Sequence, residues 1–170
     1  QPMSFNPGTG LVYIPSNNLC MDWSVSEVNY KKGVFYLGGE FPPQPGPGGY
    51  MGELMAWDPV AQKKVWGVKT DLPFNGGTLT TAGGLTFWGD LHGVFRAFDA
   101  KNGKELWKLP LGSGIGAGPI SYSVDGKQYV AAVAGGGDAA FHIPAKSTTG
   151  NAMLVAFAIH LVEDHARLAH

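Results

Sequence analysis

The sequence is poor in cysteine, in charge and in long apolar runs, and each shortage excludes a class of protein. Cys20 is the one cysteine among 170 residues, so no disulfide can form within the chain. Charged residues make up 15% and the net charge is -1, which excludes electrostatic attraction to nucleic acid or to an anionic membrane surface. No run reaches the roughly 18 apolar residues that a membrane-spanning helix needs, so we expect no membrane insertion.

Helical periodicity is also scarce, whereas glycine is abundant. No stretch before residue 160 sustains a period of 3.6 residues. The chain holds 26 glycines and 12 prolines, and 44% of its residues are hydrophobic. This composition is typical of a globular protein with many tight turns. The sequence therefore predicts an all-β fold.

A repeat of 41 residues specifies which all-β fold. Residues 56–66 (AWDPVAQKKVW) align with residues 97–107 (AFDAKNGKELW). A period of about 40 residues with several short strands is typical of a β-propeller. Asp58 and Asp99 are expected to form Asx turns, and Gly103 to supply a positive φ in a hairpin. Gln62 stands where the second copy has Gly103, so we expect the first turn to differ slightly. Each copy ends in a Trp that we expect to pack between neighbouring sheets.

Further strands are predicted by Gly-initiated or apolar runs at 10–15, 34–38, 84–89, 126–133 and 154–159, and the proline-rich segment 38–52 is predicted to be a loop. These strands suffice for two to three blades of a propeller, which cannot close into a ring. We therefore expect another chain or an upstream segment to complete the ring. The first residues, Gln1-Pro2 rather than Met, agree with a processed product or a fragment. Residues 1–159 form the predicted propeller unit, and 160–170 a tail, native or artificial, that could form a short helix.

Three predicted strand exits are rich in Asn and Gly: residues 15–23, 73–78 and 112–119. If these exits face the central funnel of a propeller, their amides offer neutral donors and acceptors to a polar ligand. Asn and Gly also build ordinary turns, and Asn75-Gly76 is a hairpin dipeptide, so this pattern leaves both interpretations open.

Several motifs in fixed order resemble the C-terminal part of one family. They are residues 17–23 (NNLCMDW), 74–87 (FNGGTLTTAGGLTF), Trp107 with its repeat, 112–115 (GSGI) and 125–130 (DGKQYV). This series is similar to the quinoprotein alcohol dehydrogenases, the methanol and ethanol dehydrogenase family that uses pyrroloquinoline quinone (PQQ). The resemblance implies an eight-bladed propeller with Trp-docking repeats, a periplasmic location and oxidation of primary alcohols, sugar alcohols or aldehydes. It also implies hydride transfer to PQQ and electron transfer to a cytochrome c or a similar acceptor.

The resemblance places Asn17 and Asn75 against PQQ. Phe74 stands where the family has a Trp, and residues 134–137 (AGGG) replace an aromatic motif near the substrate entrance. The catalytic Asp, the calcium or lanthanide ligands and the vicinal cysteine pair lie upstream in the family, so no catalytic or metal-binding residue is expected here. One alternative is a non-catalytic PQQ-like propeller that binds proteins. A weaker alternative is a β-sandwich binding module, in which the repeat would be accidental.

Overall fold

A computed structural model describes residues 1–25, 27–34, 36, 38–40, 42–135, 152–162 and 165–169. Every regular element in this part of the chain is a β-strand. The strands are β1 (Ser4–Asn6), β2 (Leu11–Asn17), β3 (Leu19–Met21), β4 (Ser24–Val25), β5 (Gly39–Glu40), β6 (Pro43–Pro45), β7 (Gly52–Asp58), β8 (Lys63–Thr70), β9 (Leu79–Thr80), β10 (Leu85–Gly89), β11 (Val94–Asp99), β12 (Glu105–Pro110), β13 (Ile120–Val124), β14 (Lys127–Ala134), β15 (Met153–Val162) and β16 (His165–Ala169). Across the described ranges, no helix is long and apolar enough to cross a membrane.

Twelve of these strands form three antiparallel sheets of four strands each. The first blade has the order β1-β2-β7-β8, the second β9-β10-β11-β12, and the third β13-β14-β15-β16. Each blade runs up and down, since consecutive strands of the blade are neighbours in the sheet. An arm between β2 and β7 carries two small pairings, β3 with β6 and β4 with β5. The all-β prediction is confirmed, and the three blades lie within the expected two to three.

The two copies of the repeat fold alike. β7 and β8 pair with a register shift after Ala56, and β11 and β12 shift after Ala97, at the equivalent position. Asp58 accepts the backbone N–H of Val60 at 2.9 Å. Asp99 accepts the N–H of Lys101 at 2.7 Å, so both Asx turns are confirmed.

The turn at Gln62 differs only slightly from the turn at Gly103, as expected: the carboxylate of Asp58 also accepts the N–H of Ala61 at 2.9 Å, whereas that of Asp99 accepts the side-chain amide of Asn102 at 3.2 Å. Gln62 has a φ of 53° and Gly103 a φ of 73°, so both lie in the left-handed region. A side chain in this region carries a steric cost that glycine avoids, yet the first turn keeps the conformation with Gln62.

The Trp residues pack between blades as predicted. The indole Nε1 of Trp66 donates to the carbonyl of Ala100 in the next blade at 3.0 Å. A Cβ on Gly103 would lie 2.6 Å from Cε3 of Trp66, so the indole ring packs directly on this glycine. Trp107 makes edge contacts with Phe95 and with Phe157 of the third blade, at centroid distances of 6.2 and 5.2 Å.

Apolar cores fill both spaces between blades. Leu54, Phe74, Trp88 and Phe98 form a buried cluster between the first and second blades. A larger buried cluster joins the second and third blades: Leu85, Phe87, Phe95, Ala97, Leu111, Ile115, Val130, Ala132, Ala134 and Phe157. Removing these side chains from water holds neighbouring blades together.

Three expectations need correction. The tail forms no helix in its described part, because β15 runs to Val162 and β16 pairs with it as a fourth strand. The segment 38–52 includes β5 and β6 and is not loop alone. In the predicted strand 34–38, Val34, Tyr36 and Gly38 belong to no strand, and Phe35 and Leu37 lie outside the described residues.

Candidate functional site

The Asn- and Gly-rich segments that follow three of the strands lie at the same end of the sheets. Asn17 ends β2, residues 71–78 connect β8 to β9, and residues 111–119 connect β12 to β13. We call these three segments the rim. The second loop hydrogen-bonds to Asn17 and packs against the third, so the two predicted site residues, Asn17 and Asn75, are brought into one neighbourhood.

Asn17 is exposed, and its amide is bonded to the backbone of Phe74. Its Oδ1 accepts the Phe74 N–H at 2.5 Å, and its Nδ2 donates to the Phe74 carbonyl at 3.1 Å. The side chain thereby imitates the paired hydrogen bonds of a neighbouring β-strand. It fixes the residue immediately before Asn75.

The aromatic ring of Phe74 anchors the same loop from below. It packs on the indole of Trp88 with ring centroids 4.6 Å apart. A Cβ on Gly52 would lie 2.7 Å from Cδ2 of Phe74, so the ring also lies directly on the backbone where β7 begins. Phe74 is buried, which explains why a large apolar residue precedes the polar Asn75.

The far side of the loop is held by the N-terminal segment. The N–H of Thr78 donates to the carbonyl of Pro2 at 3.1 Å, and its hydroxyl donates to the carbonyl of Tyr13, also at 3.1 Å. Both bonds join the second blade to the first. The loop is thus tied down at residues 74 and 78, on both sides of Asn75.

Close backbone packing explains the glycine that follows Asn75. A Cβ on Gly76 would lie 2.9 Å from the carbonyl oxygen of Ala117 and 3.3 Å from that of Ile115. Any other residue here would push the two loops apart. The N–H of Ile115 in turn donates to the carbonyl of Asp90 at 2.9 Å, which fixes the third rim segment on the second blade.

Asn75 differs from its neighbours because its side chain has no hydrogen-bond partner among the described residues. It is half-buried, and its amide makes no hydrogen bond to any described residue. A neutral amide offers two N–H donors and two acceptor lone pairs. The Ser113 hydroxyl on the third rim segment is buried and likewise unpaired within the described residues. A rigid loop that leaves polar groups unpaired fits a polar ligand.

Ionic groups cluster beside the rim and are paired with one another. A cavity of about 300 Å³ between the first two blades is lined by Asp71, Asp90, His92 and Arg96, among others. Arg96 pairs with the buried Asp90 and with Glu105, and His92 lies 3.0 Å from Asp71. Arg96 is therefore held by two carboxylates of this cavity and is already paired within the chain. The sequence did not predict the pair of Asp90 and Arg96, because the residues around Asp90 showed only the pattern of a turn.

The resolved pKa shifts belong to structural groups away from the rim. Burial raises the pKa of Tyr13, whose hydroxyl donates to the Ala100 carbonyl at 2.9 Å. The carboxylate of Glu53, 2.7 Å from Nζ of Lys64, raises the pKa of that ammonium. Among the described side chains, no cluster of three His, Cys, Asp or Glu could hold a metal ion. Gly136 and Gly137 of the AGGG segment lie outside the described residues.

The β-propeller model of the glucose, ethanol and alcohol dehydrogenases matches residues 49–130. The quinoprotein ethanol dehydrogenase of Pseudomonas aeruginosa is 46% identical over 81% of this chain and 22% of its own length. The relatives of this chain are quinoprotein alcohol dehydrogenases. The lanthanide-dependent methanol dehydrogenase of Methylorubrum extorquens is 42% identical over 91% of the chain and 26% of its own length.

Solved structures agree with the sequence relatives. The quinohemoprotein alcohol dehydrogenase from Comamonas testosteroni matches with a TM-score of 0.69 and 35% identity, over 92% of this chain and 25% of that one. A europium-containing methanol dehydrogenase also matches with a TM-score of 0.69, at 42% identity, over 79% of this chain and 24% of that one. The resemblance to the quinoprotein dehydrogenases is confirmed, and the chain spans about a quarter or less of the length of these relatives.

Proposed function

We propose that this chain forms three adjacent blades of a PQQ-dependent alcohol dehydrogenase and supplies part of the cofactor's polar cradle. The substrates are primary alcohols, sugar alcohols or aldehydes, the location is the periplasm, and electrons pass to a cytochrome c or a similar acceptor. PQQ, when bound, would supply the acceptor for the hydride of the substrate carbon. Other residues of the complete enzyme complete the propeller and supply the base and the ligands for calcium or a lanthanide.

The observation that carries the proposal is the Asn75 loop. Its backbone is fixed by Asn17 at Phe74 and by Pro2 and Tyr13 at Thr78, yet the Asn75 amide is left unpaired among the described residues. Preorganised N–H donors suit quinone carbonyls and carboxylates, which can only accept, and hydrogen bonds to charged groups are the stronger ones. We assign both Asn17 and Asn75 to the cradle.

Named relatives support the rest of the proposal. Two of them are called lanthanide-dependent methanol dehydrogenases, and one is called 1-butanol dehydrogenase (cytochrome c). These names favour a dehydrogenase over the alternative of a protein-binding scaffold. They also favour a lanthanide as the metal ion and a cytochrome c as the electron acceptor.

Cofactor titration of the complete, PQQ-free enzyme tests this assignment. Losing one hydrogen bond to a charged group costs about 1.5–3 kcal/mol. At about 1.4 kcal/mol per decade, Asn75→Ala should weaken PQQ binding roughly 10- to 150-fold, as measured by quinone absorbance or protein fluorescence.

Asn102→Ala is the matched control, because it alters the same Asn-Gly dipeptide at the opposite ends of the sheets. Asn102 is bonded within its own turn through Asp99 and Lys104. Its loss should lower stability and leave PQQ affinity unchanged. Equal affinity of Asn75→Ala and the unmodified enzyme would remove Asn75 from the cradle. Failure of the unmodified enzyme to bind PQQ at all would refute the proposed function.

A further inference from the structure

The turn between β7 and β8 is the first blade's counterpart of the surface on which Trp66 packs. In the second blade that surface consists of the Ala100 carbonyl, which accepts the indole N–H of Trp66 at 3.0 Å, and of Gly103, on which the indole ring lies. Pro59 and Gln62 stand at the same two places of the first blade, 41 residues earlier. Both are exposed, so this chain does not itself cover the turn of the first blade.

The face of the first blade that points away from the second blade is apolar. Tyr13 of β2 packs in the cluster between these two blades, so its neighbours Val12 and Ile14 lie on the opposite face. Val12 pairs with Phe5 in β1, and Ile14 pairs with Met55 in β7. Phe5 is 55% exposed, and the other three are partly exposed. A further blade of a complete propeller would remove this apolar surface from water.

The two turns differ at the residue that touches the indole. A Cβ on Gly103 would lie 2.6 Å from Cε3 of Trp66, which is closer than nonbonded carbon atoms approach. Gln62 adopts the same left-handed conformation and does carry a Cβ, so an indole in the pose of Trp66 would overlap with it. From this difference we infer that the blade covering the first blade docks on the turn of Gln62 with a short side chain and not with tryptophan. The inference rests on the proposed function, because a complete propeller supplies that blade.

The place of this short side chain is the counterpart of Trp66 in the covering blade, and we call it the docking position. The turn that receives it is held in one conformation, because the Asp58 carboxylate accepts the N–H groups of Val60 and Ala61, both at 2.9 Å. The Cβ of Gln62 therefore cannot turn away from an incoming ring without breaking the turn. A residue of the size of alanine, serine or valine at the docking position leaves room for it.

The first measurement places a glutamine on the second turn, where the docking residue is Trp66. Urea unfolding of the complete enzyme gives the equilibrium constant of folding for Gly103→Gln, alone and combined with Trp66→Leu. The glutamine should lower this constant roughly 5- to 150-fold more beside Trp66 than beside the leucine, which corresponds to about 1–3 kcal/mol of overpacking. Equal losses would show that an indole tolerates a side chain at this place, and would overturn the inference.

Gly84→Gln is the matched control for this measurement. Gly84 has a φ of 80°, and nothing lies within 4 Å of an added Cβ. The substitution therefore carries the conformational cost of a left-handed glutamine without an overlap. Its effect should be the same with Trp66 and with Trp66→Leu.

The second measurement changes the docking position of the complete enzyme to tryptophan. The equilibrium constant of folding should fall by a similar factor, and Gln62→Gly should restore most of the loss. Ala61→Gly is the matched control, because it introduces a glycine one residue earlier in the same turn, at the counterpart of Asn102, and it should restore nothing. A docking position that already holds tryptophan, or one that accepts tryptophan beside Gln62 without loss, would overturn the inference.

The docking inference and the proposed function fail in different experiments. The unfolding measurements need no cofactor, whereas PQQ titration tests the proposed function. Unfolding results as expected, in an enzyme that binds no PQQ, would refute the proposed function and support the docking inference. Normal PQQ binding together with equal losses in the first measurement would refute the docking inference alone.

Discussion

The packing of Trp66 on Gly103 offers the sharpest test of how the blades hold together. Gly103 has a φ of 73°, and a Cβ at this position would lie 2.6 Å from Cε3 and 2.7 Å from Cδ2 of Trp66. Gly103→Ala therefore combines a left-handed alanine with an overlap against an indole ring. The indole has little room to retreat, since its Nε1 is bonded to Ala100 and its ring lies 5.7 Å from that of Tyr13.

The expected cost can be divided between these two causes. A left-handed alanine costs about 1–2 kcal/mol. Overpacking a filled contact adds about 1–3 kcal/mol, so Gly103→Ala should lose about 2–5 kcal/mol of unfolding free energy. Gly84 in the same blade is the control, because its φ is 80° and nothing lies within 4 Å of an added Cβ. Gly84→Ala should show the conformational cost alone.

Urea unfolding of the complete enzyme, followed by tryptophan fluorescence, measures both variants. The difference between them, about 1–3 kcal/mol, is the contribution of the overlap with Trp66. Equal losses for Gly103→Ala and Gly84→Ala would refute direct packing of the indole on the glycine. The three-blade arrangement would then need another explanation for the position of Trp66.

Two further predictions concern stability. Trp107→Ala should lower the free energy of unfolding by about 3 kcal/mol, the lower end for a large aromatic residue, because Trp107 is only half-buried. The PQQ affinity of the folded enzyme should not change. Lost affinity without lost stability would contradict the packing role of Trp107 against Phe157. Burial raises the pKa of Tyr13, so the folded protein keeps the phenol proton at a pH near 10, at which the unfolded chain begins to release it. The free energy of unfolding should therefore fall as the pH rises above about 10. The raised pKa of Lys64 acts in the same direction. Tyr13→Phe should make the loss of stability at alkaline pH, measured by urea titration, less steep, and an unaltered loss would contradict the role of Tyr13.

The features predicted correctly from the sequence are those encoded by neighbouring residues. In an Asx turn, an Asp accepts a hydrogen bond from a backbone N–H two or three residues later. Asp58 and Asp99 therefore predict their turns from the local sequence. The strands that flank these turns carry apolar residues at regular positions. The repeat then doubles each signal, because the same frame occurs twice at an interval of 41 residues.

The elements that were mispredicted lack such local signals. β6 contains Pro43 and Pro45, which cannot donate hydrogen bonds, yet it pairs with β3 in a separate two-stranded sheet. β16 shows no clean alternation and is a strand because β15 offers it an edge.

The position of the candidate site could be predicted from the sequence, whereas the hydrogen-bond partners of its residues could not. Asn17 and Phe74 are 57 residues apart, so no spacing rule connects them, and only the folded chain places the amide against that backbone. An amide has two N–H donors and two acceptor lone pairs, and Phe74 uses one of each. Asn17 thus retains one donor and one acceptor toward solvent, which is enough for a ligand contact. Asn17 can therefore hold the Phe74 backbone and contact a ligand at the same time, and the energetic coupling between Asn17 and Asn75 in PQQ binding measures how far the two amides act together.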